Sequence, residues 1–200
     1  NDFAGFDLSS TESRELLNAG RDRFALESKY PRKTVDVGPT VAGQSTYDWP
    51  EDFLLPLSVS LGAADPLEPV SPEDARRFAN GSLVLCRDGA YYEVDGGDGI
   101  KRLVLIGSLG EGLSINLHYV YAPPPMTGDS DEPTELPRPF HEALLPASAA
   151  TFYETVEDNP ELAQRNSEQV DLWVGKLVRY DNQRRGGSDP FMVPIQGISA

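Results

Sequence analysis

Basic residues are scarce in this chain. Its 200 residues hold 17 Lys plus Arg against 32 Asp plus Glu, a formal net charge of −15. Gathering nucleic acid by counterion release needs clustered cations, which are missing here, and the same imbalance disfavours an anionic membrane surface. Cysteine is reduced to Cys86 alone. No intrachain disulfide can form, no Cys/His set has zinc spacing, and the usage suits a reducing compartment. Histidine is limited to His118 and His141. Neither adjoins a Ser, Cys or carboxylate motif, so structural roles are expected for both. Long apolar runs are lacking too. The strongest, Leu103 to Ile106, is strand-sized, well short of a membrane span. The opening Asn1, Asp2, Phe3 and Ala4 show no basic-then-apolar leader pattern.

What remains is ordinary for a packed protein. Hydrophobic residues make up 39% and aromatics 9%, enough for one domain, or one domain with an inserted module. A surplus of acid suits solubility, an acidic channel wall, or basic protein partners.

Ser9 with Glu12 reads as a capping box ahead of Leu16, Leu17, Gly20 and Phe24 at helical spacing. A helix is predicted over 11–28, ended by Tyr30-Pro31. Gly20 weakens it but allows another backbone to come close. Strand patterns follow at 34–37, 45–49 and 55–61. Ser71, Pro72, Glu73 and Asp74 then open a short helix to about Ala79. Further strands are predicted at 83–86, 90–94, 100–106 and 113–121, separated by Asn-Gly, Asp-Gly and glycine-rich turns. Such tight connections predict an antiparallel meander closed into a small sandwich or barrel. Helical pattern returns after Pro139, with Pro146 predicting a kink or break. It resumes at Asn159-Pro160, with Leu162, Val170, Trp173, Val174, Leu177 and Val178 as the apolar face to about Asp181.

The fold expected is α+β: a bundle of the N-terminal helix and two C-terminal helices, an inserted antiparallel β-module, and an extended C-terminal arm. The divisions fall at 1–32 for the first helix, 33–122 for the β-module and 123–137 for an acidic, proline-rich loop. The helix pair takes 138–185 and the arm 186–200.

No chemistry-bearing constellation emerges. Asp95, Gly96, Gly97, Asp98 and Gly99 lack oxygen ligands where a calcium loop needs them, and read as a turn. The glycines from Gly107 to Gly112 lack the Lys-Ser/Thr of a phosphate loop. No cofactor, metal site or catalytic group is expected. The arm is more informative. Pro190, Phe191, Met192, Val193, Pro194 and Ile195 follow a Gly186-Gly187-Ser188 hinge, and an apolar, proline-stiffened segment of this kind needs a groove on its own body or on a partner. Arg184 and Arg185 stand just before it and suit acidic groups on that partner. Trp173 lies beside the core stripe of its helix, placed to straddle the core and a lateral neighbour. Asp129, Asp131, Glu132 and Glu135 form an acidic group without basic partners nearby in sequence.

The order of motifs resembles the head-to-tail adaptor, or connector, proteins of tailed bacteriophages. The resemblance runs through the helix ending near Tyr30-Pro31 and the stretch containing Val41, Gly43, Tyr47, Trp49, Pro50, Asp52 and Phe53. It continues through Leu67 to Ser71, Tyr91-Tyr92, Tyr119 to Pro124, Leu136-Pro137, the helix pair and the arginine-containing tail. The family it implies has no active site. Its members form a ring, here expected as a dodecamer, between the portal protein and a tail or head-closure protein. DNA passes the lumen without specific binding, and the location is the virion neck, reached from the host cytoplasm during assembly. A different reading makes the β-module a binder of a ligand such as a glycan, with exposed Trp49, Tyr91, Tyr92 or Tyr121 as the platform.

Overall fold

The computed structural model describes residues 9–80, 89–95, 101–107, 110–128 and 131–184. The first half of the chain forms α1 (Ser10–Ser28), β1 (Arg32–Pro39), β2 (Thr46–Asp48), β3 (Phe53–Leu61), β4 (Glu68–Pro69) and α2 (Pro72–Ala79). Then come β5 (Gly89–Asp95), β6 (Lys101–Gly107), β7 (Ser114–Tyr121), a 3-10 helix (Arg138–Ala143), α3 (Leu144–Thr155) and α4 (Pro160–Arg184). They form two compact units: Asn1–Pro31 with Ala122–Ala200, and Arg32–Tyr121. Each unit has its own hydrophobic core. The predicted strand at 83–86 and the arm at 186–200 lie outside the described residues.

The helical unit starts where the capping signal places it. Ser9 Oγ accepts from the Glu12 N–H at 3.3 Å, and the Glu12 carboxylate accepts from the Ser9 N–H at 2.9 Å. The Ser9 hydroxyl also donates to that carboxylate at 2.7 Å, and this bond, with the backbone one, holds the Glu12 carboxyl below its ordinary pKa. At the other end Lys29 takes the left-handed conformation and its N–H bonds to the Ala25 carbonyl. Pro146 breaks the second helical stretch as expected. Residues 138–143 turn as a 3-10 helix and α3 begins only at Leu144. Pro146 thus lies in a first turn, where its missing N–H has no intrahelical partner. Asn159 caps α4, its Oδ1 accepting from the Leu162 N–H at 3.2 Å.

Helices α1 and α3 meet at Gly20. A Cβ there would fall 2.3 Å from Ser148 Oγ and 2.5 Å from the Ser148 backbone nitrogen. Small side chains make this crossing possible: Ala147, Ser148, Ala149 and Ala150 are all buried. Around it, Phe24, Leu144, Val170 and Leu177 fill the core of the unit, each in the range of about 1.5–3 kcal/mol when fully buried.

In the β unit the strands divide into a three-stranded sheet, ordered β1-β7-β3, and a four-stranded sheet, ordered β2-β6-β5-β4. The predicted meander is thereby overturned. Only β5 and β6 form a sequential antiparallel hairpin among the described strands, β7 joins the other sheet, and β4 runs parallel to β5. The reason lies in β7, which buries Ile115, Leu117 and Tyr119 on one face and also Val120 on the other. Such a strand suits a central place in a sheet, and β1 and β3 pair along its two edges. Val59 and Leu117 from one sheet share a core with Tyr91, Leu103 and Leu105 from the other, as in a sandwich.

The Trp49 to Phe53 segment forms a corner of this unit. Trp49 stacks on Phe53 with ring centroids 4.0 Å apart. Tyr119 Oη donates to Asp52 Oδ1 at 2.9 Å, and Lys33 Nζ pairs with Asp52 Oδ2. Asp52 is the main cause that raises the Lys33 ammonium pKa, whereas burial raises that of the Tyr119 phenol. Pairing β1 to β7 sets Lys33 beside Tyr119, and Asp52, just ahead of β3, joins both and ties the corner.

Candidate functional site

Within the helical unit, residues 122–128 run along α1 as an extended strap. Arg14, Asn18 and Arg21 fall at i, i+4 and i+7, one face of a helix. Arg21 donates to the Pro124 carbonyl and Arg14 to the Thr127 carbonyl. Asn18 closes a two-way bond with Met126, donating to its carbonyl at 3.1 Å and accepting from its N–H at 2.9 Å. Three side chains therefore satisfy the backbone of a segment whose prolines and lack of strand partners would leave it open. This polar row was readable in the sequence as a period of 3.6 in Arg and Asn, but apolar periodicity alone passes over it.

The acidic group sits after the strap. Asp131 Oδ2 accepts from the N–H groups of Thr127 and Gly128 at 2.7 and 2.8 Å. These bonds, Gly128 foremost, hold its carboxyl below the usual range. Glu132 pairs with Arg138 at 3.5 Å. Glu135 is half-buried and lines a small recess with Arg21, Phe24, Tyr30 and Leu136. Asp129 lies outside the described residues. The expected absence of basic partners is thus corrected: Arg138 pairs with Glu132, and Arg14 also acts on Asp131. Arg138 is only six residues from Glu132 and was visible in the sequence, whereas Arg14 comes from α1 and is brought in by folding.

Trp173 is half-buried on α4. Its ring meets Phe140 edge-on at 6.3 Å between centroids, and Lys176 Nζ lies 4.0 Å above it. The ring thus packs partly against the core and carries Lys176 over one face. Beside it, Leu172 is 67% exposed and Tyr180 is 39% exposed. Leu172 was not in the predicted apolar face, because it lies about 100° around the helix from that stripe. Arg184 is exposed at the end of α4. Arg185 and the segment Pro190, Phe191, Met192, Val193, Pro194 and Ile195 lie outside the described residues.

Both histidines have hydrogen-bond partners. His118 Nδ1 meets Thr34 Oγ1 at 3.0 Å, and His141 Nε2 meets the Leu136 carbonyl at 2.8 Å. The glycine-rich turn before β7 is tied by Thr40: its carbonyl accepts from Gly112 at 2.9 Å and its hydroxyl from Leu113 at 3.0 Å. Those N–H groups are therefore engaged and do not cradle an anion. Of the four aromatics a glycan platform would draw on, two are withdrawn from the surface. Trp49 and Tyr91 are buried in the sandwich core, and Tyr92 and Tyr121 are half-buried. Among the described residues no group of His, Cys, Asp and Glu is arranged to hold a metal ion, and no helix is long and apolar enough to cross a membrane.

No curated protein matches the chain. The family model of the SU10 adaptor protein, in contrast, matches residues 1–189. With the match spanning both units, the chain belongs to the SU10 adaptor protein family, phage head–tail adaptors that are structural components of the virion.

Proposed function

We propose that copies of this chain form a dodecameric ring in the virion neck, joining the portal protein to a tail or head-closure protein and continuing the DNA channel. The observation that carries this reading is the outer face of α4, where Leu172 stands two-thirds exposed beside a half-buried Trp173. Large apolar side chains held open on a rigid helix suit burial against a neighbour. The chain acts as a structural part, folded in the host cytoplasm, and DNA passes it without specific contact.

Trp173→Ala is expected to weaken ring assembly by about tenfold or more, in the range of a central interface aromatic. It should cost the monomer less, because only one edge of the ring packs on Phe140. Comparing denaturant unfolding with assembly, followed by native mass spectrometry, checks this. Normal rings from a folded variant would reject the role of Trp173.

In this ring, Asp129, Asp131, Glu132 and Glu135 face the lumen or its rim. Arg138 offsets the charge of Glu132, and the other three carboxylates keep the group negative. Neutralising the four should raise retention of DNA at low salt, by roughly the loss of four phosphate-repelling charges, and the effect should fade at high salt. Retention that does not change in assembled rings would place these residues elsewhere.

A further inference from the structure

The helical unit carries a second exposed patch, opposite in charge to the first. The turn between α3 and α4 presents Val156, 61% exposed, next to exposed Glu157, Asp158 and Glu161. Asp158 takes a left-handed conformation at φ 47°, and Asn159 caps the next helix, so the turn is held in shape. Near the other end of α4, Leu172 and Tyr180 are exposed beside Lys176 and Arg179. Among the described residues, none of Glu157, Asp158, Glu161, Lys176 and Arg179 forms an ion pair. Lys176 rests on the Trp173 ring, and Arg179 Nε donates to the Gly175 carbonyl on its own helix. Both cations are therefore positioned on the helix surface with their charge uncompensated.

From Glu161 to Lys176 the helix rises roughly 22 Å at 1.5 Å per residue. Two patches this far apart on one rigid helix cannot pair within the same copy. Their chemistry matches all the same: an apolar centre rimmed by carboxylates, and an apolar centre rimmed by cations. Were one patch complementary to itself, the contact would be two-fold and would stop at a dimer. Two different, mutually complementary patches give a head-to-tail contact, which repeats from copy to copy and closes into a ring when the rotation allows.

We infer that the acidic α3–α4 turn of one copy docks onto the Lys176/Arg179 face of α4 in the next copy, with Val156 meeting the apolar surface of Leu172 and Tyr180. The inference rests on the ring reading above and adds its polarity and its two contacting faces. It also explains why Trp173 stays half-open: its cation-bearing side belongs to the seam.

Charge exchange tests this directly. One variant carries Lys176→Glu and Arg179→Glu; a second carries Glu157→Lys and Glu161→Lys. Asp158 is left alone because of its backbone conformation. The mass of the assembly is measured for the full chain, alone at high concentration and on portal rings, with circular dichroism to confirm folding. Each variant by itself should assemble about tenfold or more weakly, since like charges now face each other. An equal mixture of the two should recover assembly, because opposite charges meet at every seam of an alternating ring. A chain bearing all four substitutions should recover as well. Recovery is specific to a contact between copies; a contact with portal or tail protein would stay broken. Wild-type assembly with no loss in either variant, or loss with no recovery in the mixture and the four-fold variant, overturns the inference and leaves the ring standing. A wild-type chain that does not associate with its own copies, free or on the portal, overturns the ring itself.

Discussion

Replacing Gly20 with alanine is expected to destabilise the helical unit by about 1–3 kcal/mol, although alanine favours an isolated helix by about 1 kcal/mol over glycine. The sign is decided by space. The new methyl would lie 2.3 Å from Ser148 Oγ, 2.5 Å from the Ser148 nitrogen and 2.8 Å from its Cα. The hydroxyl can turn away only by giving up its 2.8 Å bond to the Leu144 carbonyl. The nitrogen and Cα belong to a helix backbone and move only if α1 and α3 separate. That separation opens space beside Phe24 and Ala147, which are buried in the same core. Ser148→Gly added to Gly20→Ala should restore only part of the loss, since it removes the closest atom and leaves the backbone contacts. Urea unfolding of the parent and the two variants measures this. A Gly20→Ala chain at least as stable as the parent would mean that the two helices do not touch there.

Removing the arm gives the largest functional change expected. A chain ending at Arg185 should remain folded and lose attachment to the portal. From Gly186 to Ala200 an extended chain spans roughly 50 Å at about 3.3 Å per residue, ample to cross a helix about 10 Å thick and reach the next protein. Phe191, Met192, Val193 and Ile195 would each contribute about 1.5–3 kcal/mol on burial, before the cost of ordering. Pro190 and Pro194 narrow the free ensemble and lower that cost. In this reading Arg184 and Arg185 would set the register against acidic groups on the portal. Co-sedimentation of the truncated and full chains with portal rings separates the outcomes. Equal attachment by both would leave the arm without a role.

Local signals in this sequence translated well into local structure. Ser9 with Glu12 gave a helix start because both partners of the cap lie within one turn. Gly20 marked a helix crossing because a missing Cβ in a helix has few other uses, and Pro146 marked a break because its ring lacks a donor. Partition of the strands was not legible. Alternation in β7 shows one buried face, but nothing in a single strand says which neighbours pair along its edges, here β1 and β3. The aromatics failed as surface candidates for a similar reason. Trp49 and Tyr91 carry polar tips that suit either water or a core edge, and only the packing of two sheets decides for the core. At the candidate site, Trp173 could be picked out from its place beside the stripe. Leu172, the strap contacts of Arg14, Asn18 and Arg21, and the action of Arg14 on Asp131 depend on which segments meet, and the strap pairings are more than 100 residues apart.

Imaging of the assembled neck tests the central claim most directly. Electron cryo-microscopy of particles carrying this chain should show a closed ring of its copies beneath the portal, its lumen in line with the portal channel. A neck without that ring, or with isolated copies that do not touch one another, would contradict it.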